Sequence, residues 1–155
     1  MIRAFIAVEI DPATASQITA VVQQLKPRIA AIRWVGADNF HLTLKFLGNI
    51  DEGRIEPIGS ALRDALRPFP RFTINAKGLG VFPNPRRPRV LWVGLVGSHL
   101  VSLQAKVESA LTPLGFAPEE KSFTPHLTIG RWRQGERSDR TLVQELGKWS
   151  EHEFG

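Results

Sequence analysis

Apolar residues along this chain fall into short alternating runs separated by stretches of helical spacing. Residues 3–10 alternate enough, and are apolar enough, to read as a buried strand; Asp11-Pro12 stops it and opens a helix through about Arg28. Trp34-Val35 and residues 40–47 follow as strands, and a second helix covers 53–67, with Pro68 and Pro70 ending it. Phe72 to Ala76 reads as a strand with room to continue past Gly78 and Gly80, and Val90 to Val96 as its hairpin partner. Between them Phe82-Pro83-Asn84-Pro85-Arg86-Arg87-Pro88 is too proline-rich for a sheet interior and is expected as a loop. Ser98 is placed to cap a helix running to about Leu114, where Gly115 ends it. Residues 123–132 form a further strand, and Asp139 to Lys148 a final helix. No linker or low-complexity segment argues for a second domain, so residues 1–155 are read as one.

Two of these strands contain one pattern, His41-Leu42-Thr43-Leu44 and His126-Leu127-Thr128-Ile129. Side chains at i and i+2 of a strand share a face, so each segment presents an imidazole and a hydroxyl together while its aliphatic residues turn the other way. One His-x-Thr is a weak signal, since a strand histidine is usually structural. With four histidines and eight threonines in the chain, composition predicts on the order of 0.2 such coincidences, and two occur with aliphatics in the same slots. The motifs lie 85 positions apart, and that offset also carries Phe5-Ile6-Ala7-Val8 onto Val90-Leu91-Trp92-Val93, and Ile18 and Val22 onto Leu103 and Val107. A duplication of this length suggests two similar lobes, each giving one motif strand to a shared cleft, rather than a stack of short repeats.

Composition narrows the chemistry. At 155 residues the chain can bury about 68–70% of its unfolded surface without a disulfide or structural metal. The absence of cysteine excludes thiolate chemistry and removes the usual zinc signature, in keeping with a cytoplasmic protein. The N-terminus lacks a signal peptide's apolar core, and no run approaches the roughly 18 apolar residues of a membrane span. A net charge of +5 and a pI near 10.2 favour polyanionic partners, with Arg86-Arg87-Pro88-Arg89 and Arg131-Trp132-Arg133 the densest basic clusters.

The paired motifs, the Phe5-Ile6-Ala7-Val8 opening, the Phe46-Leu47-Gly48 continuation and the Pro125-His126-Leu127-Thr128 context resemble the 2H phosphoesterase superfamily. Within it the similarity is to the bacterial and archaeal RNA 2′,3′-cyclic phosphodiesterases, also called 2′-5′ RNA ligases, and it runs from Met1 to about Trp149. The resemblance implies a bilobal, pseudo-symmetric α+β fold, with two antiparallel sheets flanking a central cleft and helices outside. It also implies metal-independent chemistry on cyclic phosphates at RNA ends, with no cofactor, by a monomer. Members commonly continue past the position of Phe154 into another strand, so the expectation is either a shortened chain or an unfilled sheet edge.

Opening a ribose 2′,3′-cyclic phosphate needs water activated on one side of phosphorus and a proton delivered to the departing oxygen on the other. Two histidines can do both near the ordinary imidazole pKa of about 6.5. By the resemblance the 3′ oxygen leaves. His41 is assigned as the proton donor and His126 as the acceptor, although the sequence alone permits the reverse, and the roles exchange in the ligation direction. Thr43 and Thr128 would donate to the non-bridging oxygens. Arg131 stands five positions after His126, where this family carries a phosphate ligand; strict alternation would point it away from His126 and Thr128 unless Gly130 permits a bend. Phe46, its counterpart at the same offset, is either a nucleobase platform or, on the face of Leu42 and Leu44, a core residue, the latter being favoured. Trp132 and Phe82 are further stacking candidates, and His99 and His152 are read as structural or solvated. Two other functions stay open: a phosphodiesterase of 2′-5′ oligonucleotides or small nucleotide cyclic phosphates, and a non-catalytic RNA-binding module.

Overall fold

The computed structural model describes residues 1–133 and 140–155. Its elements are β1 (Ile2–Glu9), α1 (Pro12–Leu25), β2 (Ile32–Trp34), β3 (His41–Ile50), α2 (Ile55–Leu66), β4 (Asn75–Phe82), β5 (Val90–Val96), α3 (Leu100–Leu111), β6 (His126–Trp132) and α4 (Arg140–Trp149). The class is α+β. β1 pairs with β3 in a two-stranded sheet, and β2, β6, β5 and β4 form an antiparallel sheet in that order. The chain divides into two compact units, neither continuous in sequence: Met1–Val8 with Thr43–Ile74 and Gly97–Pro125, and Glu9–Leu42 with Asn75–Val96 and His126–Gly155.

In the first unit α2 packs against α3, and a buried charge ties β3 to α3. Lys45 Nζ donates to the Ala117 carbonyl at 2.8 Å and lies 2.5 Å from Glu108 Oε1, an ion pair rather than an aligned hydrogen bond. The other carboxylate oxygen accepts the Glu119 N–H at 2.7 Å. Phe69 and Phe72 gather around the His99 ring, with centroids 6.2 and 5.3 Å from it.

In the second unit the buried face of the four-stranded sheet carries Leu79, Val81, Leu91, Val93, Leu95, Leu127 and Ile129. Removing each Leu, Ile or Val from water contributes about 1.5–3 kcal/mol. α1 adds Ile18, Val21, Val22 and Leu25 to this core, and α4 adds Leu142 and Trp149. Buried Glu145 accepts from Trp149 Nε1 at 3.1 Å and pairs with Arg28.

Several boundaries differ from the sequence reading for identifiable reasons. β1 is half-buried, not buried: its odd-numbered residues are exposed, Phe5 among them. α1 stops at Leu25 because Pro27 has no N–H with which to continue the ladder. The hairpin strand starts at Asn75 rather than Phe72, whose ring is engaged with Phe69 and His99. Ser98 does not cap α3; its hydroxyl bonds His99 Nδ1 at 3.0 Å. α3 proper ends at Leu111, and a 3-10 turn through Pro113 leads to Gly115, whose φ of 94° suits glycine. The proposed helix start at Asp139 lies outside the described residues. The end of the chain runs along β4, where Phe154 N–H reaches the Ala76 carbonyl and Gly78 N–H reaches that of His152, each at 2.8 Å, and Phe154 is buried. That part of the sheet edge is therefore paired.

Candidate active site

β6 begins as a regular strand. His126 and Thr128 are half-buried, Leu127 and Ile129 fully buried, as two-residue alternation requires. The next residue breaks the rule, since Gly130 is buried too and Arg131 is exposed. The cause is a bulge. Along β5 the partner of Trp92 is Thr128 but that of Leu91 is Gly130, leaving Ile129 as an extra residue. Val90, opposite Arg131, shares a face with Trp92, opposite Thr128, and with Gly94, opposite His126. Arg131 is thus returned to the face of His126 and Thr128. Gly130 serves the slip by its size, because a Cβ there would stand 2.5 Å from Ile32 Cδ1.

β3 carries the same burial sequence. From His41 to Phe46 it reads half-buried, buried, half-buried, buried, buried, exposed, the pattern from His126 to Arg131. Lys45 takes the place of Gly130 and Phe46 that of Arg131. Phe46 is 63% exposed, so the favoured core reading fails: Leu44 and Lys45 are both buried, and the alternation slips between them. Its ring centroid lies 6.2 Å from that of Phe5, making an exposed aromatic pair on the two-stranded sheet.

On the larger sheet the Phe82 ring meets the His126 imidazole edge-on, with centroids 5.0 Å apart, and lies 5.2 Å from Trp92. Gly80 leaves room for this, since a Cβ there would run into the Trp92 indole. Phe82 is half-buried, and its contacts with His126 and Trp92 leave it less than a free platform. Trp132 is 9% exposed and is no platform either. His152 packs edge-on between Trp149 and Phe154, at 4.7 and 4.8 Å. His41 opens β3 and belongs, with His126, Thr128 and Arg131, to the second unit, whereas Thr43 and Phe46 fall in the first.

One residue absent from the sequence reading joins this face. Arg33 on β2 stands directly opposite Arg131. The sequence pattern places a strand at Trp34-Val35 and so leaves Arg33 outside it, whereas β2 spans Ile32–Trp34. Among the described residues no group of three or more His, Cys, Asp or Glu side chains is placed to hold a metal, and no helix is long and apolar enough to cross a membrane.

The profile of the LigT like Phosphoesterase family matches this chain twice, over residues 8–92 and 93–154. A Methanothermobacter thermautotrophicus protein named RNA 2′,3′-cyclic phosphodiesterase is 37% identical over 155 residues, covering 99% of this chain and 83% of that one. A Thermotoga maritima protein of the same name is 38% identical over 145 residues, covering 93% and 77%. Among solved structures, a Thermus thermophilus protein shares the fold with a TM-score of 0.76 at 24% identity, covering 90% of this chain and 78% of its own. E. coli LigT complexed with 3′-AMP gives 0.70 at 26% identity, covering 89% and 75%. With two profile matches spanning nearly the whole sequence and relatives this similar, the chain belongs to the LigT-like phosphoesterase family.

Proposed function

We propose that this protein hydrolyses the 2′,3′-cyclic phosphate at RNA ends to a 2′-phosphate, with His41 as the acid, His126 as the base, and Thr43, Thr128 and Arg131 as phosphate ligands. The observation that carries this reading is the bulge at Ile129, which returns a guanidinium to the strand face that carries an imidazole and a hydroxyl. An imidazole can move protons, whereas a hydroxyl and a guanidinium can hold the oxygens on which charge develops. Phe46, exposed beside Phe5, is read as a stacking surface for a base. A monomer acting in the cytoplasm without metal completes the proposal. The direct test is incubation with an RNA ending in a 2′,3′-cyclic phosphate in EDTA. A 2′-phosphate product is expected; a 3′-phosphate overturns the assignment of the leaving oxygen, and no turnover overturns the activity.

Two further outcomes follow from the same assignment. Thr128→Ala, Thr43→Ala and Arg131→Ala should each lower kcat by about 10²-fold, as expected when one donor to developing negative charge is removed. The limbs of the pH–rate profile should stay in place, because none of these groups exchanges the reacting protons. Normal turnover by Arg131→Ala would return the arginine to an ordinary surface role.

The loop between β4 and β5 is organised by Asn84, whose Oδ1 accepts the Arg86 and Arg87 N–H groups at 3.1 and 3.0 Å, and Arg86, Arg87 and Arg89 are all exposed. Neutralising the three should weaken binding of longer RNA and flatten its salt dependence, while a mononucleotide 2′,3′-cyclic phosphate is turned over as before. Equal losses on both substrates would mean that the loop shapes the catalytic site instead.

A further inference from the structure

The cross-strand pair Arg33 and Arg131 sets like charges directly opposite each other, an arrangement that destabilises a sheet unless something neutralises it. Among the described residues neither has a carboxylate partner, although Arg28, Lys45, Arg63, Arg67 and Lys77 all do. Both border a cavity of about 470 Å³ lined by Ala31, Ile32, Arg33, Arg131, Trp132 and Arg133. Clefts of a few hundred Å³ hold small ligands. Among the described residues the lining holds three guanidinium groups and no acid, which selects an anion, and the planar fork of arginine favours phosphate. Ala31, on the cavity wall, has a φ of 62°, a left-handed conformation that a non-glycine residue holds only where its surroundings impose it.

Strand rise separates the Arg133 end of this cavity from His126. Arg133 lies seven residues beyond His126, and at about 3.3 Å per strand residue that is about 23 Å along the chain, too far for one phosphate to meet both side chains. Arg33 flanks Arg131 on β2, away from β5, which pairs with the other edge of β6. The cavity therefore suits a second phosphate, reached from the first through Arg131.

We propose that Arg33 and Arg133 form a subsite for the phosphodiester on the 5′ side of the terminal nucleotide, so that the enzyme prefers an RNA end over a mononucleotide cyclic phosphate. This rests on the phosphodiesterase reading above. The anion recognised is an RNA backbone phosphodiester, held by charge and bidentate hydrogen bonding without reading the base.

The test compares a mononucleotide 2′,3′-cyclic phosphate with a dinucleotide carrying the same end, in the unmodified protein, Arg33→Gln and Arg133→Gln. Each variant should lose about tenfold in kcat/KM on the dinucleotide and little on the mononucleotide. Equal losses on both substrates, or none on the dinucleotide, overturn the subsite. In parallel, fluorescence anisotropy with a ten-nucleotide RNA should show the slope of log K against log salt falling by about 0.7 for each phosphate that a variant no longer neutralises. If the unmodified protein turns over neither substrate, the phosphodiesterase reading fails, and the salt slope still decides the subsite: an unchanged slope in both variants overturns it.

Discussion

His41→Ala and His126→Ala should each lower hydrolysis of a 2′,3′-cyclic phosphate by about 10²- to 10⁴-fold while leaving the fold intact, because each removes a proton-transfer group that the other cannot replace. Both side chains are half-buried at strand starts, not packed in the core, so thermal melts and circular dichroism should change little. The unmodified protein should give a bell-shaped pH profile. Activity falls on the acid side as the base takes up its proton, and on the alkaline side as the acid loses its own. With His126 as base, the residual activity of His126→Ala loses the acid limb; with His41 as acid, that of His41→Ala loses the alkaline one. If the limbs disappear in the opposite pairing, the roles are exchanged. Near-normal turnover by either variant would sink the two-histidine mechanism.

The motifs could be read from sequence because strand alternation is local: His41 with Thr43, and His126 with Thr128, need only two-residue periodicity to share a face. Alternation also accounts for where the reading stopped. Alternation favours Phe46 for the core because it keeps step with Leu42 and Leu44, yet the strand slips at Leu44-Lys45 and the ring emerges 63% exposed. At Ile129-Gly130 the same kind of slip restores Arg131 to the motif face. There the glycine hinted at a bend, but its role is to admit Ile32 from a strand nearly a hundred residues earlier, a contact that no local pattern contains. Arg33 was missed for the same reason, since a three-residue strand has too few positions to show a period, and only pairing with β6 gives it a place. Ser98 had the right residue type for a helix cap, but the adjacent His99 offered its hydroxyl another partner.

Lys45 shows that the two slips are held by different means, and its removal should carry the largest stability effect. Where β6 has Gly130, β3 has a lysine that is 4% exposed, its Nζ between Glu108 Oε1 and the Ala117 carbonyl. Replacing a buried ion pair as a whole can be neutral, but deleting one member leaves a buried charge without its counter-ion and costs about 3–5 kcal/mol. Lys45→Met keeps the volume and strands Glu108, so urea unfolding should show a loss in that range. The companion substitution Glu108→Gln removes the stranded charge and retains an oxygen for the Glu119 N–H, now bonded at 2.7 Å. Lys45→Met with Glu108→Gln should therefore recover most of the lost stability, a coupling that a double-mutant cycle reads directly. The slip at Lys45 also turns Phe46 outward on the strand that carries Thr43, so activity should fall with stability in the single variant and return with it in the double. A single variant within about 1 kcal/mol of the parent would show that the pair is solvated, and that β3 keeps its slip without it.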